Sequence, residues 1–198
     1  HLNTILESTL QWIGARDALL VKTVPSGIGP APEPSRVPAG PEIKDATGQS
    51  GESSTYEARD TLGSPEDEAI FDYYATSQLM VVDAKNGKTK TVGSAAVIGS
   101  VNVAPDGRHV LIEVLKHPYS YVTTWPRFAY NVEIIDLDSN KTSTIASLPA
   151  AENVPVRGVP TGPRGHHWRA NEPATLIYTE ALDGGDWKND VPERDRTL

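Results

Sequence analysis

The chain has 198 residues with a formal net charge of −8 at pH 7, and it contains 16 prolines, 16 glycines and no cysteine. This length suits one ordinary domain with a sizeable core. The acidic balance argues against nucleic acid as a partner, and no apolar run approaches the roughly 20 residues that a membrane-spanning helix needs. The absence of cysteine excludes disulfides and thiolate metal sites.

The first predicted elements are four strands separated by a long insertion. One strand ends at Trp12, and an apolar strand follows at Ala18–Thr23 after a short polar turn. A hairpin is predicted further along, with strands at 79–83 and 88–92 around Asn86-Gly87, because Asn-Gly is the strongest short hairpin signal. The first repeat unit is therefore predicted to comprise residues 10–24 with 76–95.

The insertion inside this unit, residues 25–75, has two parts. Residues 25–53 are rich in proline, glycine and polar residues, so we expect a flexible segment. Residues 54–75 contain two helix-start signals, a capping box at Ser54 to Glu57 and the sequence Ser64-Pro65 followed by acidic residues. They predict short helices at about 55–62 and 65–74.

The same two sequence patterns, a strand–turn–strand segment and a hairpin, then recur. The turn Pro105-Asp106-Gly107 follows Val103 and precedes an apolar strand at 109–115, and a second hairpin pairs 132–136 with 141–145. An aromatic insertion at 116–130 separates the two. The first pattern, an apolar or aromatic residue followed by a polar turn and an apolar strand, occurs a third time from Trp168. Trp12, Val103 and Trp168 therefore occupy matching positions. The second unit is predicted at 100–115 with 130–147, and the opening half of a third at 166–182.

Four short strands per unit, with variable insertions, favour the blades of a β-propeller over a sandwich. We therefore predict an all-β fold in which residues 1–198 form an incomplete propeller of about two and a half four-stranded blades. Such an array leaves unpaired edges, so self-association through open blade edges is a possible partner interaction. The chain opens at His1 inside a predicted strand region, and we expect it to be an internal piece of a longer protein.

Several separate motifs along almost the whole chain resemble the N-terminal propeller of prolyl oligopeptidase family serine peptidases, in the glutamyl-endopeptidase-like branch. The motifs are Leu19–Pro25, Gly40–Ile43, Asp67–Leu79, His117–Tyr121, Pro126–Phe128, Pro160–Arg164, Trp168–Ala170 and Glu180–Asp186. The resemblance implies a seven- or eight-bladed propeller that covers an α/β-hydrolase catalytic domain and restricts entry to short or unfolded peptides.

The family's chemistry is serine acyl transfer by a Ser, Asp and His on the hydrolase domain. No G-x-S-x-G motif occurs in this chain, so no catalytic residue is assigned and the chain alone is expected to be inactive. No cofactor is expected either. His166 and His167 are adjacent on a strand and point to opposite faces, which argues against a shared metal. Asp183 to Asp186 is expected to be a glycine-rich turn, and Asp83 and Asp136 are expected to cap hairpin turns.

Two arginines are the candidate substrate-binding residues. An enzyme of the glutamyl-endopeptidase type must hold an acidic side chain, and a guanidinium can do so with two hydrogen bonds. Arg127 and Arg164 lie in predicted loops that could serve this purpose, and Tyr121 and Trp125 could line a peptide pocket. The alternative is that Arg127 packs on Trp125 or Tyr130, and that the aromatic residues only fix the insertion to its own blade.

The function predicted from these features is a non-catalytic propeller portion of a serine peptidase, which gates and positions peptide substrates for a C-terminal α/β-hydrolase domain absent from this chain. Peptide substrate and that catalytic domain are the expected partners, with neither nucleic acid nor membrane among them. The alternative is a TolB-like binding propeller without hydrolysis, and a third possibility places an active site on the propeller itself. The compartment is not determined, with a periplasmic or secreted location slightly favoured over a cytoplasmic one.

Overall fold

The structure is a computed structural model that describes residues 1–33, 61–154 and 157–198. Most of the predicted flexible segment at 25–53 and most of the predicted helix at 55–62 lie outside these residues. The second predicted helix is confirmed as α1, Pro65–Ala75. Ser64 caps it, since its hydroxyl accepts a 3.1 Å hydrogen bond from the backbone N–H of Asp67. No helix in the described part of the chain is long and apolar enough to cross a bilayer.

The first predicted unit is a four-stranded antiparallel sheet, here called the first meander. Its fourth strand is longer than expected, because it pairs with the third strand up to Val97 and then with the next unit from Ile98 onward. Residues 76–103 therefore include one strand that belongs to two units, where the sequence suggested a break at 96–99. The strands are β1 Leu10–Ile13, β2 Ala18–Thr23, β3 Thr76–Asp83 and β4 Thr89–Val103.

The second half of β4 begins the second meander, and hydrogen bonding runs continuously through seven strands. A separate three-stranded antiparallel sheet, the third meander, follows; the described strands form no closed barrel. Only two strands were predicted in it, and the short strand at Asp195–Thr197 was missed. The remaining strands are β5 His109–Leu115, β6 Tyr130–Asp136, β7 Lys141–Leu148, β8 Arg164–Trp168, β9 Leu176–Ala181 and β10 Asp195–Thr197.

The three meanders pack face to face, with the second in the middle. Because side chains alternate along a strand, Val110 and Ile112 of β5 enter a cluster with the first meander, whereas Leu111 between them enters a cluster with the third. Trp168 belongs to the latter cluster, and its indole N–H donates a 2.9 Å hydrogen bond to the carbonyl of Asn102. Both faces of the second meander are thus covered at β5.

The connections between strands fall at two opposite ends of the stack. Short turns join β1–β2, β3–β4, β4–β5, β6–β7 and β8–β9, and contacts bring them together, such as the 2.9 Å bond from Asp106 N–H to the Pro173 carbonyl. The long connections 24–75, 116–129, 149–163 and 182–194 leave the sheets at the other end, which we call the long-loop end. In the described part of the chain, the long connections therefore leave the sheets at one end.

The turns at the short end are held by aspartates, as predicted. One carboxylate oxygen of Asp83 accepts hydrogen bonds from the backbone N–H groups of Lys85 and Asn86, and Asp136 does the same with those of Asp138 and Ser139. The guanidinium of Arg108, 2.7 Å from Asp136, is the main cause that holds the pKa of this carboxyl below its usual range. These residues therefore stabilise turns, in agreement with the structural interpretation.

Gly107 in the turn between β4 and β5 is predicted to tolerate no side chain. Its φ of 65° favours glycine, and an added Cβ would lie 2.8 Å from the Cβ of Ala15 in the first meander. We expect Gly107→Ala to lower the free energy of unfolding by about 2–4 kcal/mol, because backbone strain and overpacking add. Urea denaturation followed by circular dichroism measures this loss.

The matched control is Gly87→Ala in the β3–β4 hairpin. Gly87 has a similar φ of 71°, but an added Cβ would meet nothing within 4 Å. We expect only the backbone cost there, about 1 kcal/mol. Equal losses at the two glycines would contradict the close approach of the second meander to the first.

Candidate functional site

A cavity of about 380 Å³ lies at the long-loop end, between the second and third meanders. Its wall is formed by the connection at 116–129, which we call the aromatic loop, by the β7–β8 connection and by the start of β8. Arg127 and Arg164 both line it, whereas no aspartate or glutamate is among its described lining residues. Its apolar wall includes Pro126, Phe128, Tyr130, Leu148, Pro149, Ala150, Ala151, Val154, Val159 and Pro160.

Arg164 is positioned by the third meander. It is the first residue of β8, and its side chain is 18% exposed. One terminal nitrogen, Nη2, pairs with the carboxylate of Asp195 in β10. The other, Nη1, is buried and has no hydrogen-bond partner among the described residues. A buried guanidinium N–H without a partner is costly, so Nη1 is an unsatisfied donor that would gain from any ligand oxygen able to reach it.

Arg127 is positioned by the aromatic loop. It ends a short 3-10 helix, Trp125–Arg127, and its backbone N–H donates a 2.9 Å hydrogen bond to the carbonyl of Thr124. Its own carbonyl accepts a 2.8 Å bond from the N–H of Ala151, which ties the loop to the β7–β8 connection. The structure thus brings to one cavity two arginines that are 37 positions apart in the chain (164 − 127).

The two aromatic candidates are not among the residues lining this cavity. Trp125 packs against the buried cluster that includes Phe128 and Tyr119. Tyr121 is exposed, and partial desolvation and the neighbouring carboxylate of Glu68 raise the pKa of its hydroxyl. In the structure these two side chains lie against the loop and helix rather than in the cavity wall.

The aromatic loop is held by α1. The hydroxyl of Tyr119 donates a 2.6 Å hydrogen bond to Asp72, and the Nε2 atom of His117 lies 2.9 Å from the other oxygen of the same carboxylate. Burial, followed by this carboxylate, raises the pKa of Tyr119 well above its usual range. The rings of Phe71 and Phe128 are in edge contact, 5.9 Å apart. Since Phe128 lines the cavity, the helix supports the cavity wall from behind.

The other residues considered as candidates in the sequence make structural contacts. His166 is buried beside Tyr178, whereas His167 is exposed, so the two histidines point to opposite faces as predicted. Burial lowers the pKa of His166. Asp183 begins a turn after β9, where one carboxylate oxygen accepts a 2.8 Å bond from the N–H of Gly185 and the other lies 3.1 Å from Arg194. No cluster of three or more potential metal ligands occurs among the described residues.

Comparison with known proteins identifies relatives of this chain. No family model matches the chain. A protein named probable glutamyl endopeptidase, chloroplastic, from Oryza sativa subsp. japonica is 37% identical over 201 residues, which cover 98% of this chain and 21% of that protein. A protein of the same name from Arabidopsis thaliana is 38% identical over 197 residues, covering 98% and 20%, respectively.

Two solved structures are similar at lower levels. The uncharacterized protein lmo1340 from Listeria monocytogenes EGD-e has 14% identity and a TM-score of 0.42, over 98% of this chain and 37% of that chain. The acylaminoacyl peptidase from Pyrococcus horikoshii has 12% identity and a TM-score of 0.35, over 59% and 16%. Both TM-scores are too low to bear on fold or function.

The chain therefore spans about a fifth of the length of the curated relatives that it matches. The similarity extends over nearly all of this chain. The chain is related to a segment of larger proteins that are named as peptidases.

Proposed function

We propose that this chain is a non-catalytic β-propeller portion of a serine peptidase, and that it gates and positions peptide substrates for an α/β-hydrolase domain of the same protein. Two features support the propeller. Successive antiparallel meanders stack face to face, and one strand passes directly from the first into the second. The names of the relatives, and the share of their length that the chain spans, support the link to peptidases.

The observation that carries a substrate-binding role is the cavity at the long-loop end. Arg127 and Arg164 line it without a carboxylate among its described lining residues, although the chain as a whole is acidic. Nη1 of Arg164 is desolvated, and a hydrogen bond to a charged oxygen there is worth more than in water. We propose that the cavity holds an acidic side chain of the peptide, with its aliphatic part against Phe128 and Leu148.

Asp195 has a positioning role in this proposal. It holds Nη2 of Arg164 and thereby leaves Nη1 for the ligand. Substitution by asparagine keeps a hydrogen-bond acceptor but removes the charge, so Asp195→Asn should weaken binding less than loss of Arg164. The two variants together separate the contact of Arg164 with the peptide from the positioning of Arg164 by Asp195.

The experiment compares hydrolysis of matched peptides by the full-length protein. For a Glu-containing peptide, Arg164→Ala should lower kcat/KM by about 30- to 150-fold, since the charged hydrogen bonds are worth roughly 2–3 kcal/mol. For the same peptide with Gln in place of Glu, the variant should change kcat/KM little. Arg127→Ala should act in the same direction.

Arg169→Ala provides the control. Arg169 directly follows β8, is exposed and does not line the cavity. If the Arg164 and Arg127 variants hydrolyse Glu peptides as well as the Arg169 variant does, the cavity does not bind the substrate. If the full-length protein binds peptides but hydrolyses none, the TolB-like binding propeller is the better description.

A further inference from the structure

Tyr130 contributes a polar group to the cavity wall that the proposed function does not use. It begins β6, in the interior of the second meander, where its backbone pairs with Leu115 of β5 and with Leu148 of β7. Leu148 lines the cavity as well. The two neighbouring strands therefore fix Tyr130 on the second-meander side of the cavity, whereas Arg164 belongs to the third meander.

The ring of Tyr130 is held by two apolar clusters. It packs against one that contains Phe128 and Tyr119, and against another that contains Leu148 and Trp168. Because a packed ring has little rotational freedom, the direction of its hydroxyl is fixed before a ligand arrives. A polar group positioned in this way loses little conformational entropy when it binds.

The hydroxyl of Tyr130 is unpaired. The hydroxyl of Tyr119 donates a 2.6 Å hydrogen bond to Asp72, whereas that of Tyr130 has no hydrogen-bond partner in the described part of the chain. It is not among the buried side-chain atoms that lack a partner, so it retains access to solvent. Tyr130 therefore offers a hydrogen-bonding group to whatever occupies the cavity that it lines.

This hydroxyl remains protonated throughout the neutral pH range. Burial, followed by the carboxyl of Glu113, raises the pKa of Tyr130 to about 12. A protonated phenol donates one hydrogen bond and carries no charge. Tyr130 thus differs from the two cavity arginines, because it adds a donor without adding to the positive charge.

We propose that the Tyr130 hydroxyl donates a hydrogen bond to the carboxylate of the acidic peptide side chain, and that Arg164 binds the same carboxylate from the third meander. Two oxygens with about four acceptor positions allow one carboxylate to accept from both donors. Tyr130 is thereby a further specificity-determining residue. This inference rests on the proposed function, because it assigns a second contact to the same ligand.

The test compares kcat/KM of the full-length protein and its variants for the matched Glu- and Gln-containing peptides. Tyr130→Phe removes only the hydroxyl and breaks no hydrogen bond of the protein, so the urea denaturation midpoint should stay unchanged. For the Glu peptide, kcat/KM should fall about tenfold or more, because a hydrogen bond to a charged acceptor is lost. For the Gln peptide the loss should be less than about threefold, since the acceptor is neutral.

Tyr74→Phe is the matched control. Tyr74 is an exposed tyrosine of α1 that does not line the cavity. The loss of its hydroxyl should leave kcat/KM unchanged for both peptides. A fall in Tyr74→Phe as large as that in Tyr130→Phe would overturn the proposal, because the effect would then not depend on the cavity.

A double-mutant cycle with Arg164→Ala shows whether the two residues hold the same carboxylate. If they do, the double variant should lose at least about threefold less than the product of the two single losses, because residues that share a partner are coupled. Independent losses, or an unchanged kcat/KM in Tyr130→Phe, would overturn the role of Tyr130. A loss in Arg164→Ala would leave the proposed function intact in either case, whereas no loss there would overturn both proposals.

Discussion

Trp168→Ala should lower the free energy of unfolding by about 3–5 kcal/mol, as loss of a large aromatic side chain from a core usually does. Trp168 is 7% exposed and packs with Leu111, Val132 and Leu148. Its indole also satisfies the carbonyl of Asn102. Since this side chain joins the third meander to the second, we expect the third meander to lose hydrogen-exchange protection before the others. Urea denaturation and hydrogen exchange measure the two effects.

The repeat supplies its own control for this experiment. Trp12 occupies the matching position in the first meander but is 52% exposed, because no described sheet covers that face. Trp12→Ala in this chain should therefore cost less than about 1 kcal/mol, within the usual range for exposed sites. A loss at Trp12 as large as that at Trp168 would show that another part of the molecule covers the first sheet.

The different exposure of two matching tryptophans also shows what a sequence can predict about this fold. Strand positions, turns and the helix at Pro65–Ala75 follow from local patterns, and the structure contains them. Burial of a side chain depends on which sheet packs against its face of the strand. The local sequence pattern around Trp12 and Trp168 therefore cannot distinguish a covered face from an open one. The spacing of the repeat predicts strands, whereas only the packing of neighbouring sheets determines which strand faces become core.

Lys22 illustrates the same limit within a correctly predicted strand. A lysine in an apolar run suggests a solvent-facing position, but Lys22 is 2% exposed. Its amine donates to the carbonyls of Leu6 and Ile98, and burial lowers its pKa. Both partners come from segments distant in sequence, so no local pattern indicates the interaction. Long-range backbone acceptors determine where this side chain lies.

The candidate site was predictable in part. The choice of Arg127 and Arg164 depended on residue chemistry and on a predicted loop position. Arg164 instead begins β8, and both arginines line one cavity. Asp195 was missed because a three-residue strand has no periodicity to detect, and its link to Arg164 spans 31 positions. Tyr121 and Trp125 were proposed for their aromatic character alone, which does not distinguish a pocket wall from a packed loop.

Phe128→Ala is the other substitution with a large expected effect, because it acts on stability and on the cavity together. Phe128 is 2% exposed, stacks on Tyr119 with ring centroids 5.0 Å apart and contacts Phe71 of α1. Its removal leaves a void beneath the helix, so we expect the free energy of unfolding to fall by about 3–5 kcal/mol. Denaturation by urea measures the loss, and hydrogen exchange should show α1 opening first.

Phe128→Leu separates the two consequences. Leucine refills most of the void, so the variant should lose about 1–2 kcal/mol and keep α1 docked, while the cavity wall changes shape. Tyr121→Ala, in the same loop but exposed, should be nearly neutral. If Phe128→Leu retains stability yet lowers kcat/KM of the full-length protein for Glu-containing peptides, the wall contributes to substrate binding directly. If kcat/KM falls only in the destabilised Phe128→Ala variant, the residue acts solely by holding the loop in place.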